Sequence, residues 1–186
     1  MSMIKTCYGN IDEQIMHKLA SVKLLAFDVD GTITDGGIYL DNTDLEFKKF
    51  CTKDGYGLHH LNKSGVKCAA ITGRKAHLME RRMKEIKLDL LIQDENDKKT
   101  ALTDLCNKLG IDLANTVCIG DDLNDLPMFK IAGITACPKD AHPYIKKNAN
   151  IVMNYDGGKG AVRQLCDLIL MAQGKLGLDG GPLAWL

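Results

Sequence analysis

Apolar and polar positions along this chain fall into two alternating kinds of block. Short continuous apolar runs occupy 22–27, 66–71, 90–92, 116–119, 134–137 and 151–153, each closed by polar or turn residues. Runs of this length with turn signals behind them predict strands buried on both faces. Between them, apolar residues recur three and four apart, as in Ile11, Ile15, Met16 and Leu19 or Val162, Leu165, Cys166, Ile169 and Leu170. That spacing predicts helices over 11–21, 55–63, 75–87, 97–109 and roughly 160–173. Asp54 and Asp97 read as N-caps, and Gly65 and Gly110 as helix ends. Strands alternating with helices predict an α/β fold, a parallel sheet covered on both faces.

Two segments stand outside that alternation. In 35–50, Ile38-Tyr39-Leu40, a polar Asp41-Asn42-Thr43-Asp44 turn and then Leu45, Phe47 and Phe50 predict a β-hairpin. A lone hairpin cannot bury its apolar face, so this one must pack on the body or on another subunit. Residues 176–186, Gly-rich with Leu178, Leu183 and Trp185, read as a flexible tail after a single domain spanning 1–175.

Composition narrows the setting. The 186 residues are 45% hydrophobic and 26% charged with a formal net charge of +0, which argues against nucleic acid or an anionic membrane as partner. No apolar run is long enough to span a bilayer, and the N-terminus lacks the form of a signal peptide. Seven scattered cysteines without a Cys-x-x-Cys pair read as small core residues in a reducing compartment. The expectation is a cytoplasmic enzyme-sized domain.

The chemistry concentrates after the first strand, in Phe27-Asp28-Val29-Asp30-Gly31-Thr32. Side chains two apart on a strand share a side, so Asp28 and Asp30 are expected together at its carboxyl end, where open α/β sheets bind ligands. Like charges this close raise one another's pKa unless a cation sits between them. Taken alone, Asp-x-Asp-Gly is only a turn. Other strand ends add Thr72, the acidic Gly120-Asp121-Asp122-Leu123-Asn124-Asp125 and, at the start of a helix, Lys98. Phosphoryl transfer needs an in-line nucleophile, groups that neutralise the transferring oxygens, and a metal. Asp28 suits the nucleophile and Asp30 the general acid and base. Thr72 and Lys98 suit the phosphate oxygens, and Asp28, Asp30, Asp121 and Asp122 make a hard-oxygen set for Mg²⁺. Lys98 alone would read as a solvated helix face, and Thr72 as a strand end.

The order Asp-x-Asp-Gly-Thr, Thr-Gly, Lys, Gly-Asp-Asp-x-x-Asp resembles the haloacid dehalogenase (HAD) superfamily of phosphohydrolases. The stretches between Asp30 and Thr72 and between Thr72 and Lys98 are too short for a cap domain, so the resemblance is to a capless member with a hairpin flap. It narrows to the 3-deoxy-D-manno-octulosonate 8-phosphate (KDO 8-phosphate) phosphatases. The stretches that carry it are Lys53-Asp54-Gly55-Tyr56-Gly57, Ile71-Thr72-Gly73-Arg74-Lys75, Ala141-His142-Pro143, Gly157-Gly158-Lys159-Gly160-Ala161-Val162-Arg163 and Ala172-Gln173-Gly174-Lys175. The resemblance implies a Mg²⁺-dependent hydrolase of lipopolysaccharide precursor synthesis. It also implies a homotetramer whose hairpins pack together and whose tails can reach a neighbour's active site.

For the sugar carboxylate, Arg74 is the expected grip, since guanidinium binds carboxylate in a two-pronged way. Arg82, Lys53 and Asn124 are further candidates for substrate contact; Lys53 stands where the family usually has Arg. Two other readings remain open. One is a related capless phosphatase acting on a nine-carbon sialic-acid-like 9-phosphate. The other is a phospho-Asp signalling domain, whose acidic pair would precede the phosphorylated Asp instead of following it.

Overall fold

The structure is a computed structural model that describes residues 2–42, 46–88 and 90–183. Leu45 and Trp185, assigned above to the hairpin and the tail, lie outside the described residues. The chain opens with β1 (Met3–Thr6) and β2 (Gly9–Asp12), an antiparallel pair, and α1 (Glu13–Ala20). Next come β3 (Leu24–Phe27), the hairpin β4 (Tyr39–Leu40) and β5 (Glu46–Phe47), and α2 (Thr52–Lys63). They are followed by β6 (Lys67–Ile71), α3 (His77–Glu85), β7 (Leu90–Ile92) and α4 (Lys98–Leu109). The last third holds β8 (Thr116–Ile119), α5 (Leu126–Phe129), β9 (Ile134–Cys137), α6 (Pro143–Asn148), β10 (Ile151–Val152) and α7 (Ala161–Ala172).

Six strands form one parallel sheet in the order β10-β9-β8-β3-β6-β7. From β3 the chain winds outward through β6 to β7, then crosses back to β8 on the other side of β3. The reversal leaves a crevice at the carboxyl ends of β3 and β8, the place where such sheets take ligands. β3 is central and wholly buried, which is why its sequence is an unbroken apolar run. Its period of two divides the core. Leu25 and Phe27 pack with Leu58, Leu61, Leu165 and Ile169 of α2 and α7, while Leu24 and Ala26 pack with Leu102, Leu105 and Met128 on the opposite face.

Most expected elements form, and the differences have local causes. The start of the expected helix 11–21 is the end of β2, because Asp12 accepts from Gln14 N (2.7 Å) and so caps α1, which begins two residues later at Glu13. At the other end, Asp97 caps α4 and Gly110 closes it at φ 64°, as the pattern predicted. Asp54 does not cap α2. That helix begins at Thr52 after Cys51, and Asp54 lies 1% exposed within its first turn. Its carboxylate accepts from Arg163 N (2.7 Å) and Gly160 N (3.3 Å), the open amides of α7, whose own N-cap is a glycine with no side chain to offer. Asp54 therefore caps a helix distant in sequence and ties α2 to α7.

The tail is tied as well. Leu178 O accepts from Cys7 N (2.7 Å), Leu176 bridges to Pro182, and Leu176 is buried. The cysteines are free thiols, five of them buried, in keeping with the core role read from the sequence.

Asp54→Ala leaves the two N-terminal amides of α7, one buried and one part-buried, without an acceptor and should lower unfolding free energy by about 1–3 kcal/mol, with Asp54→Asn losing less. Denaturant midpoints of the three proteins check this, and equal midpoints would remove the capping role.

Candidate active site

The site grows from the turn after β3. Asp28 N donates to Ile119 O (3.0 Å), continuing the β3–β8 ladder by one residue and carrying the Asp28 side chain under the β8 loop. Gly31 then turns at φ +87°, and a Cβ there would run into the carboxylate of Asp121. Only glycine permits both the backbone conformation and that approach. Thr32 Oγ1 donates to Asp121 Oδ1 (3.0 Å), joining the two loops. Behind the turn, Gly158 N donates to Thr32 O (3.0 Å), and Gly157 lies so close that a Cβ would overlap the Gly31 carbonyl.

At the centre, the Lys98 ammonium donates to Asp28 Oδ1 (2.5 Å) and Asp125 Oδ1 (2.6 Å). All three side chains are buried: Lys98 is 1% exposed and Asp125 not at all. Asp125 Oδ2 in turn accepts from Asp121 N (2.9 Å) and Asp122 N (3.2 Å), so both of its oxygens are engaged in holding the β8 loop and Lys98. Asp28, Asp121 and Asp125 each offer a carboxylate oxygen within 4.8 Å of the others. A hard divalent cation fits these oxygens, with Asp28 and Asp121 the open donors.

Electrostatics call for such a cation. Burial, reinforced by the negative charge of Asp125, pushes the Asp28 carboxyl up to about 8 although Lys98 opposes the shift. Burial and Asp125 likewise lift Asp121 to about 6, against the Thr32 hydrogen bond. For Lys98, burial favours the neutral amine, but Asp28 and Asp125 outweigh it and raise its pKa. Three acids and one lysine leave excess negative charge in a dry place.

The remaining expected residues divide by position. Thr72 is buried after β6; its N donates to Ile92 O (2.9 Å), and its hydroxyl oxygen accepts from Arg74 N (3.2 Å), which leaves its O–H proton for a ligand. Asp30 is not side by side with Asp28. Its carboxylate turns to the hairpin, where Oδ1 pairs with Lys48, and Arg74 Nε stands 3.9 Å from Oδ2. Asp122 is exposed and caps the turn by accepting from Leu123 N (2.7 Å), so the expected metal set of Asp28, Asp30, Asp121 and Asp122 is not the set brought together. Arg82 stacks over Phe50 (5.4 Å), pairs with Glu85 (3.1 Å) and donates to Cys51 O (3.4 Å), against the start of α2. Lys53 and Asn124 are exposed. Sequence reasoning passed over Asp125, Lys48 and Glu46. Asp125 had a signal in its place in Gly-Asp-Asp-x-x-Asp. Among the described residues, a surface cavity of about 830 Å³ lined by Ser21, Lys23, Ser64, Asn115 and Lys175 opens at the amino ends of the strands and is lined by no carboxylate.

A doubly wound parallel sheet, with a carboxylate–lysine–carboxylate core at its switch point and a threonine at the next strand end, defines a haloacid dehalogenase-like hydrolase. A family model of that description matches residues 90–165. The 3-deoxy-D-manno-octulosonate 8-phosphate phosphatase of Escherichia coli (strain B / BL21-DE3) is 42% identical over 173 residues, covering 93% of this chain and 92% of the relative. The crystal structure of the Yersinia pestis phosphatase of the same name superposes with a TM-score of 0.93 at 40% identity, over 98% of this chain and 99% of the other. That from Moraxella catarrhalis, in complex with magnesium ion, phosphate ion and KDO, superposes with a TM-score of 0.86 at 39% identity, over 89% and 95% of the two chains. The chain belongs to the family of 3-deoxy-D-manno-octulosonate 8-phosphate phosphatases.

Divalent-cation binding must displace the protons that burial keeps on Asp28 and Asp121. With their carboxyls at about 8 and about 6, cation affinity should rise with pH between 6 and 8, by roughly tenfold per unit for each proton displaced. In chelator the sign reverses: a raised folded pKa means stability is lost as pH climbs from the unfolded carboxylate range, about 4, through 8. Thermal midpoints at pH 6 and 8, with Mg²⁺ and with chelator, check both slopes.

Proposed function

We propose that this protein is a Mg²⁺-dependent phosphatase that hydrolyses KDO 8-phosphate to KDO and phosphate through an aspartyl-phosphate on Asp28, in the cytoplasmic synthesis of lipopolysaccharide precursor. The observation that carries the reading is the Asp28–Lys98–Asp125 core at the β3–β8 crevice, in a chain that matches named KDO 8-phosphate phosphatases along almost its whole length. Among the described residues no helix is long and apolar enough to cross a membrane.

The Asp28 carboxylate attacks phosphorus in line, and the bond from phosphorus to the sugar oxygen breaks. Asp30 gives its proton to the departing oxygen, which leaves as the alcohol. Asp30 then takes a proton from water as that water attacks the aspartyl-phosphate, releasing phosphate and restoring the Asp28 carboxylate. The Lys98 ammonium and the Thr72 hydroxyl neutralise charge on the transferring oxygens. A bound Mg²⁺, held by Asp28 and Asp121, supplies positive charge against the phosphate and keeps Asp28 ionised. Arg74, 47% exposed at its side chain beside Asp30, is available to grip the substrate's carboxylate.

The hairpin exposes Ile38, Tyr39, Leu40 and Phe47, with Leu40 at 73%, and its outer face carries the opposed pair Tyr39 and Phe47. An apolar face of this kind suits packing against the hairpins of other subunits in a homotetramer.

Native protein should release phosphate from KDO 8-phosphate only with Mg²⁺, and Asp28→Asn should lose activity by about 10³-fold or more, the scale of removing a covalent nucleophile. Activity on an aryl phosphate but not on KDO 8-phosphate would keep the mechanism and replace the substrate. Deleting residues 176–186 should weaken turnover or substrate affinity if the tail closes a neighbour's site, and unchanged kinetics would reject that role.

A further inference from the structure

The hairpin flap has its polarity inverted. The opposed pair Tyr39 and Phe47 faces outward at 56% and 57% exposure, whereas the Lys48 side chain is 1% exposed. Removing an ammonium from water is costly unless it is paired. Lys48 is paired twice, with Asp30 Oδ1 and with Glu46 Oε1 at 3.3 Å. Glu46 Oε1 is itself buried and makes no hydrogen bond, so this ion pair is what holds it. Glu46 Oε2 accepts from Arg74 Nη2 (3.3 Å), and Arg74 returns to Asp30. Asp30, Lys48, Glu46 and Arg74 therefore close a ring of alternating charge between the flap and the strand ends.

Each member of the Asp-x-Asp pair thus has a buried lysine of its own, Lys98 for Asp28 and Lys48 for Asp30. We propose that Lys48 is the positioning residue for Asp30: braced by Glu46, it grips Oδ1 and turns Oδ2 toward the scissile bond as the oxygen that hands over the proton. Arg74 Nε, 3.9 Å from Oδ2, lies beyond hydrogen-bond reach and leaves that oxygen open. The inference rests on the reading of Asp30 as the acid and base of a phosphatase. In the step it serves, the phosphorus–oxygen ester bond breaks, the bonding pair goes to the leaving oxygen, and Asp30 supplies that oxygen with a proton. A misaligned Asp30 slows the step most where the leaving oxygen is a poor leaving group, because such an oxygen most needs the proton.

The test is the dependence of kcat/KM on leaving-group pKa across substituted phenyl phosphates, with Mg²⁺, for native protein, Lys48→Met, Lys48→Arg and Glu46→Gln. These esters lack the sugar, so contacts to the sugar do not enter, and kcat/KM reports the steps up to loss of the alcohol. Lys48→Met should lose roughly 10- to 100-fold on the poorest leaving groups, part of the 10²–10⁴-fold worth of a general acid, and less than about threefold on p-nitrophenyl phosphate. Its plot should be steeper than the native one. Lys48→Arg should restore most of the native slope, and Glu46→Gln should steepen it by a smaller amount. A loss equal on every ester, or no loss on any, would overturn the positioning role. Failure of the native protein to hydrolyse any phosphate ester would overturn the phosphatase reading, and with it this one.

Discussion

Everything at the carboxyl end of the sheet hangs on one buried nitrogen. Lys98 is the first residue of α4, where the positive end of the helix dipole disfavours a cation. Its ammonium is nevertheless almost wholly inaccessible, between Asp28 from the β3 turn and Asp125 from the β8 loop. Removing one partner of such a group leaves an uncompensated charge in a dry place, a penalty of about 3–5 kcal/mol. The three segments can therefore approach only together. That explains why a carboxylate at the end of an apolar strand is tolerated, and why it stays poised to take a cation.

The scaffold spends several other contacts on keeping this arrangement rigid. Gly31 and Gly157 leave out the side chains that would separate the turn from Asp121 and from the loop before α7. Asp54 supplies the cap that Gly160 cannot, so the same loop is held from α2. Reacting groups held by backbone contacts and buried ion pairs need little reorganisation during a reaction, which is where preorganised sites gain their advantage.

The flap contributes differently. Lys48 and Glu46 turn their charges inward while Tyr39 and Phe47 stand exposed, the reverse of an ordinary surface hairpin. The inner face completes the surroundings of Asp30, and the outer face is the kind of surface that other subunits cover. Two carboxylates separated by one residue thereby enter different environments, one buried against Lys98 and one half-open under the flap, and so can carry different roles in one reaction.

Periodicity and punctuation in the chain were enough for the α/β class, the buried strands, the Asp97 and Gly110 ends of α4 and the hairpin, because these follow from local alternation and backbone preference. The order of the strand-end motifs was enough to name Asp28, Thr72, Lys98 and Asp121 as candidates. Spacing alone could not decide contacts between segments far apart in sequence. Asp54 looked like a cap for the helix beside it and caps α7 instead, because packing brings Gly160 and Arg163 over it. Asp28 and Asp30 looked like neighbours with one environment, and different partners pulled them apart: Lys98 seventy positions from Asp28, Lys48 eighteen from Asp30. Asp122 and Asp125 carry the same functional group three residues apart. Only the closed tertiary structure decides that the first faces water and the second is sealed against Lys98, since burial is set by what folds over a residue and not by its neighbours in the chain.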